Sequence, residues 1–191
     1  MNTKTLALII IFSALAVVLN LYGPKIPFPL YGFLYFQLWE IPIAVAFLYV
    51  GTTSGFIVAI LNTLLLFVVF PGGLPTGPIY NFIAVLSMLA GIYLPYKIAT
   101  LNCKAENLGQ YLKHHLALIT ISATATGIAL RVIVMTVVNL FALPQDYPIG
   151  FSMPLIEVYA FLPLGAIFNA IIAAYTIPTA ILITAAIMVR R

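Results

Sequence analysis

The apolar residues of this chain come in long continuous runs, not in alternation with polar ones. A membrane-spanning strand needs alternating apolar and polar positions over segments of about 10 residues, so continuous runs select helices. Little else in the sequence competes with them. The 191 residues include eight Lys+Arg and four Asp+Glu, which makes 6% charged and 64% hydrophobic. A soluble domain averages about 25% charged residues, and a domain of this size leaves much of its surface wet. A water-soluble enzyme and a disordered chain are therefore excluded. The net charge of +4 comes from basic residues scattered along the chain, which form no patch for nucleic acid. The solvent for most of this protein is the lipid bilayer of a cell membrane, crossed several times.

A spanning helix takes about 20 mostly apolar residues. Six spans with short connections account for the whole chain, so residues 1–191 read as one all-α, polytopic domain: a compact bundle of six transmembrane helices. The spans are predicted at Thr5 to Tyr22, Leu38 to Val50, Phe56 to Phe70, Ile79 to Tyr96, Leu116 to Leu143 and Glu157 to Val189. Gly23-Pro24 closes the first and opens a loop rich in proline and aromatics. Gly51 to Gly55 reads as a tight turn. Residues 71–77 form a loop of strong breakers, and residues 97–115 read as hydrated. Pro163 and Pro178 are expected to kink the last span. Ala14-Leu15-Ala16 resembles a signal-peptide cleavage site, but the apolar run continues through Val17, Val18 and Leu19, so a retained helix is expected.

Basic residues near span ends set orientation. Lys4, Lys97, Lys104, Lys113, Arg190 and Arg191 fall on one side, and Lys25 on the other. Both termini, Cys103 and the 97–115 segment are thus expected in the cytoplasm, with the loops at 23–37, 71–77 and 142–156 outside.

The chain lacks a phosphate-binding P-loop, and its four acids are too scattered for a carboxylate–metal cluster. A lone cysteine excludes an internal disulfide. His114 and His115 point about 100° apart on a helix and read as interfacial residues. No enzyme, cofactor or metal site is expected. The polar side chains inside the spans carry the positive signal. Asn62, Asn81, Asn139 and Asn169 fall one each in spans three to six, Arg131 lies within span five, and Glu40 and Glu157 sit at outer ends of spans two and six. A mid-membrane arginine costs at least about 2.5–3.5 kcal/mol, so it faces a partner or a cavity. Glu40 and Glu157 are the candidate partners. Taken singly, each asparagine serves equally as glue between helices, worth about 0.6–2 kcal/mol. Together, however, these groups occupy the outer half of the membrane, which is the distribution of a cavity open to the outside. Arg131 and Asn139 are separated by about 12 Å of rise and about 80° of rotation, close enough to border one cavity. Aromatics of the first outer loop (Phe28, Tyr31, Phe33, Tyr35, Phe36, Trp39) and of the last (Tyr147, Phe151, Tyr159) form either an interfacial belt or a lid over a flat ligand.

Four stretches then carry a family likeness: Phe12 to Leu19; Phe36-Gln37-Leu38-Trp39-Glu40-Ile41-Pro42; Val134 to Asn139 with Pro144; and Phe168-Asn169. In order and spacing the chain resembles the substrate-binding S components of energy-coupling-factor vitamin transporters, most closely the riboflavin-specific group. The resemblance implies a six-helix bundle that captures a vitamin, riboflavin or a related flat heterocycle, from outside. It implies as partners a transmembrane coupling subunit and two ATPase subunits, with no catalysis by the S component itself. The candidate ligand contacts are Asn139 and Asn169 foremost, which the resemblance favours, with Asn62, Gln37, Trp39 and Glu40, and, from the pattern of polar and aromatic residues alone, Asn81, Arg131, Tyr35 and Glu157. The chain departs from the riboflavin group where Gln37 and Glu40 stand in place of two aspartates, Leu61-Asn62 in place of Lys-Asn, and Ile172 in place of a lysine. Helix one also lacks an Ala-xxx-Ala pair. A stand-alone carrier is the competing function, and it predicts polar groups continuing through the inner half.

Overall fold

The computed structural model describes residues 2–29, 31–69, 73–101 and 115–189. Lys104, Lys113, Cys103, His114, Arg190 and Arg191 lie outside them. Among the described residues six helices build the fold: α1 (Thr3–Tyr22), α2 (Glu40–Val45, continued by a π-helical turn over Ala46–Val50), α3 (Thr52–Val69), α4 (Gly77–Leu101), α5 (Leu116–Ala142) and α6 (Leu155–Val189). Five are long and apolar enough to cross a membrane, and the chain is a multi-pass membrane protein.

The exception is the second span, read from the sequence as a short one, and its helix starts two residues later than expected and ends where expected. The apolar helix over Glu40–Val50 rises only about 16 Å at 1.5 Å per residue, half the thickness of a hydrocarbon core. Residues expected as an irregular loop make a β-hairpin, β1 (Ile26–Phe28) paired antiparallel with β2 (Tyr31–Phe36), with Ile26 opposite Phe36 and Pro27 opposite Tyr35. A proline is tolerated there because neither strand of a two-stranded ribbon is central. The expected turn over Gly51 to Gly55 contracts to Gly51, whose φ of 135° suits glycine; α3 begins at the next residue. Pro163 and Pro178 both lie inside the continuous helix α6.

Successive turns of α5 are buried along one stripe, Ile119, Ala123, Gly127, Arg131 and Met135. This i, i+4 spacing keeps one helix face inward, so the periodicity of its small and apolar neighbours carries Arg131 into the bundle. Small residues on that stripe also let backbones approach. At the α4–α5 crossing, Thr126 Oγ1 donates to the Gly91 carbonyl at 2.6 Å, and a Cβ on Gly91 would lie 2.5 Å from Gly127 Cα.

The two ends of the bundle differ. Away from the hairpin, Val58, Val85, Met88, Leu89, Ile92, Ala123, Ala173, Ile177, Ala180 and Ile181 form a continuous buried apolar core with the residues of α2. Tyr96 of α4 donates its hydroxyl to the Leu48 carbonyl at 2.9 Å and ties the far end of α2 in place. Towards the hairpin the helices enclose space.

Candidate ligand-binding cavity

A cavity of about 620 Å³ lies under the hairpin, walled by residues of α1, α4, α5 and α6 and by the N-terminal end of α2. Its floor is a charge pair. Arg131 is 2% exposed and Glu40 is 3% exposed. The guanidinium makes a two-pronged contact, Nη1 to Glu40 Oε2 and Nη2 to Glu40 Oε1 at 2.9 Å. Its Nε donates to Asn169 Oδ1 at 3.0 Å, and Met88 Sδ lies 3.7 Å from Nη1. The parallel fork of guanidinium and carboxylate is the strong form of this bond, and it answers the desolvation cost of a charge in lipid. Of the two carboxylates expected to hold Arg131, Glu40 does so. The reason is the short second helix, which lowers Glu40 from the expected outer end to the level of Arg131. Glu157, exposed in the first turn of α6, is not among the residues lining the cavity.

Asn169 is drawn into the same network. Its Oδ1 accepts from Arg131, and its Nδ2 donates to the Gly165 carbonyl at 2.8 Å. One donor and one acceptor position of the amide remain, so Asn169 orients the guanidinium as well as facing the cavity. Asn139 and Asn81 line the cavity and are less buried. Gly165 makes room for the Phe161 ring, which a Cβ there would meet at 2.8 Å, while Asn139 Nδ2 would lie at an ordinary contact distance of 3.5 Å. Gln37, Trp39 and Tyr35 also line the cavity. Gln37 accepts the Tyr175 hydroxyl through its backbone carbonyl at 2.6 Å. Asn62 is the other departure: it is 1% exposed in the middle of α3 and is not among the lining residues. The expected depth of Asn62 says nothing about its direction, and its helix face turns into the packed interior.

The roof is aromatic. Phe28 packs on Phe36 and Phe168 with ring centroids 5.9 and 5.6 Å apart, and Phe36 lies 5.1 Å from Phe168. Tyr31 meets Phe161 edge-on at 4.9 Å. Phe33 of the hairpin approaches Phe151 of the α5–α6 loop at 5.1 Å, and both line the cavity. That loop is fastened to the start of α4 by two hydroxyls: Thr76 donates to the Pro148 carbonyl at 2.8 Å and Tyr80 to the Ile149 carbonyl at 2.6 Å. The aromatics therefore divide. Phe33, Tyr35 and Phe151 line the cavity, whereas Tyr147 and Tyr159 are 68% and 60% exposed and do not.

Sequence reasoning passed over Asn20. It is 5% exposed, sits near the end of α1 and lines the cavity. The signal was an amide one turn before Gly23 in an otherwise apolar helix.

The fold and site together define a helical membrane protein that encloses a small-molecule-sized cavity opening towards one side. No protein-family model matches the chain, and no curated protein does. Among solved structures it is similar to the S component of a bacterial ECF transporter, with a TM-score of 0.66 and 27% identity over 93% of each chain.

Proposed function

We propose that this chain is the substrate-binding subunit of an energy-coupling-factor importer, and that it captures riboflavin or a related flat heterocycle from outside the cell. The observation that carries the reading is the cavity: about 620 Å³, within the roughly 300–1,000 Å³ of small-molecule sites, and backed by a packed apolar core instead of a passage. The likeness to an S component supports it independently. On this reading a transmembrane coupling subunit and two ATPase subunits drive delivery, and the chain performs no catalysis. The floor suits an uncharged ring, because Arg131 and Glu40 neutralise one another. Ile172, buried against Phe28 and Phe168, offers that ring an apolar edge where a lysine would have offered charge.

The protein purified from its membrane is expected to carry a ligand with the mass and visible absorption of a flavin, and to take up no riboflavin when reconstituted alone in liposomes. Uptake by the chain alone, without ATP, would instead establish a stand-alone carrier. Away from the hairpin the buried polar groups include the hydroxyls of Thr124, Thr176 and Thr184, and none of these lines the cavity.

Asn139 and Asn169 are proposed as ligand contacts with different secondary roles. Asn139→Leu is expected to weaken riboflavin binding roughly 5- to 150-fold, the equivalent of about 1–3 kcal/mol for a polar group left unpaired in a dry site, with little change in thermal stability. Asn169→Leu is expected to lower both, because it also strips Arg131 Nε of its acceptor. Titration of riboflavin alongside thermal unfolding separates the two. Equal loss of stability in both variants with unchanged affinity would make both asparagines glue.

A further inference from the structure

We infer that Asn20 of α1 is a ligand-contacting, specificity-determining residue of this cavity, donating a hydrogen bond to an uncharged acceptor on a ring ligand. The inference rests on the binding-subunit reading above.

Asn20 is 95% shielded from solvent yet borders the cavity. Its Nδ2 is buried and has no hydrogen-bond partner among the described residues. Buried amide groups in folded proteins are almost always partnered, and more so where lipid replaces water. An orphaned amide atom is not by itself the sign of a site, since Asn62 Oδ1 is also buried without a partner among the described residues; Asn62 does not line the cavity, and Asn20 does. Burial in this wall does not by itself leave an amide unpaired. Asn169 is 5% exposed beside the same cavity, and both ends of its amide are engaged. Asn20 thus carries a spare donor at the wall of an enclosed space; its nitrogen is shielded as it stands, and a turn of the amide is what presents it to the cavity.

The amide can answer a ligand without backbone movement. The terminal torsion of asparagine is broad and roughly two-fold, so a half-turn exchanges the positions of its nitrogen and oxygen. The matching group on the ligand is an acceptor, since Nδ2 offers two donors and no lone pair. A ring carbonyl or ring nitrogen meets that need. A carboxylate or phosphate would also accept the bond, but it would bring an unpaired negative charge into a cavity whose Arg131 is already committed to Glu40. Desolvating such a charge is costly unless it is paired. Lys25, the one other charge lining the cavity, is exposed at its edge and answers a charge at the mouth, not one enclosed beside the Arg131–Glu40 pair, so the acceptor that fits is uncharged. This adds α1 to the ligand contacts and gives the ligand a polar edge on that side, opposite in character to the apolar edge that Ile172 and Phe168 offer.

The test titrates riboflavin into the purified full chain, native and with Asn20→Leu or Asn20→Ser, and records thermal unfolding of each protein without ligand. Leu removes the donor and is expected to weaken binding roughly 5- to 150-fold. The unliganded melting temperature should stay near native, because no intramolecular hydrogen bond is lost. Ser is smaller and retains one donor on a shorter arm. It is expected to bind with intermediate affinity, and it keeps the test open if Leu overcrowds the wall. Native affinity in the folded variants overturns the assignment of Asn20 while leaving the binding-subunit reading in place. A lowered melting temperature with native affinity also overturns it, and makes Asn20 an interhelical contact. If the folded native chain binds no riboflavin, the flavin-like ligand class fails, and this assignment fails with it.

Discussion

Glu40→Ala is expected to destabilise the protein by about 3–5 kcal/mol, the usual result of removing one partner from a buried ion pair. The carboxylate is the only acidic group bonded to Arg131 among the described residues, and it takes both guanidinium prongs. Without it, Arg131 keeps Asn169 and the Met88 sulfur, neither of which carries a compensating charge. The guanidinium cannot escape by losing its proton, because arginine stays protonated in proteins. Thermal unfolding in detergent would show the loss. A double variant, Glu40→Leu with Arg131→Met, distinguishes its cause. Exchanging a buried pair for apolar residues of similar size is often neutral or stabilising, so the double variant is expected to regain most of the stability while losing the polar floor. If it remains as unstable as Glu40→Ala, the deficit lies in packing around the short helix and not in the orphaned charge.

The second large effect belongs to the crossing of α4 and α5. Gly91→Val places a branched side chain where even a single Cβ would lie 2.5 Å from Gly127 Cα and 2.6 Å from the Thr126 carbonyl oxygen. Both are backbone atoms, so no side chain can swing aside, and the helices must separate. Separation also stretches the 2.6 Å bond from Thr126 to the Gly91 carbonyl. Overpacking of this kind costs about 1–3 kcal/mol and occasionally more. Here it is expected at the upper end, as a lowered melting temperature and a reduced yield of folded protein. Gly73→Ala is the matched control, because a Cβ there meets nothing within 4 Å. Native stability in Gly91→Val would mean that α4 and α5 do not cross this closely.

These two sites differ in how far the sequence disclosed them. Arg131 announced itself through cost, since an arginine among Leu, Ile and Val must find a partner, and Glu40 was one of two carboxylates available. What the sequence did not disclose was the level at which Glu40 sits. The shortness of the apolar run from Leu38 to Val50 was legible by counting, but the hairpin that precedes it was not. Tyr31 to Phe36 is rich in aromatics, which suit a strand, but it shows no alternation of apolar and polar residues and the surrounding prolines masked it as loop. The close approach at Gly91 was illegible, because a glycine in a long apolar helix is common and its partner Gly127 lies on another helix. Asn62 and Asn20 show the same limit from opposite sides. Depth along a helix follows from counting residues, but rotation about its axis follows from which neighbours pack. Counting therefore included Asn62, whose face turns into the core, and omitted Asn20, whose face meets the cavity.

The mutual neutralisation of Arg131 and Glu40 also bears on how fast a ligand can be caught. Fields from unpaired charges draw oppositely charged molecules into a site and raise encounter rates. Here the two buried charges form a compact pair whose field falls off within a short distance, and Lys25 at the edge is the one other charge among the residues that line the cavity. A ligand arriving from dilute solution is consequently not pulled in from afar. It must reach the opening by diffusion and be retained by contact, so the time it stays, set by the ring surfaces above and the amides around it, governs how well a scarce compound is collected.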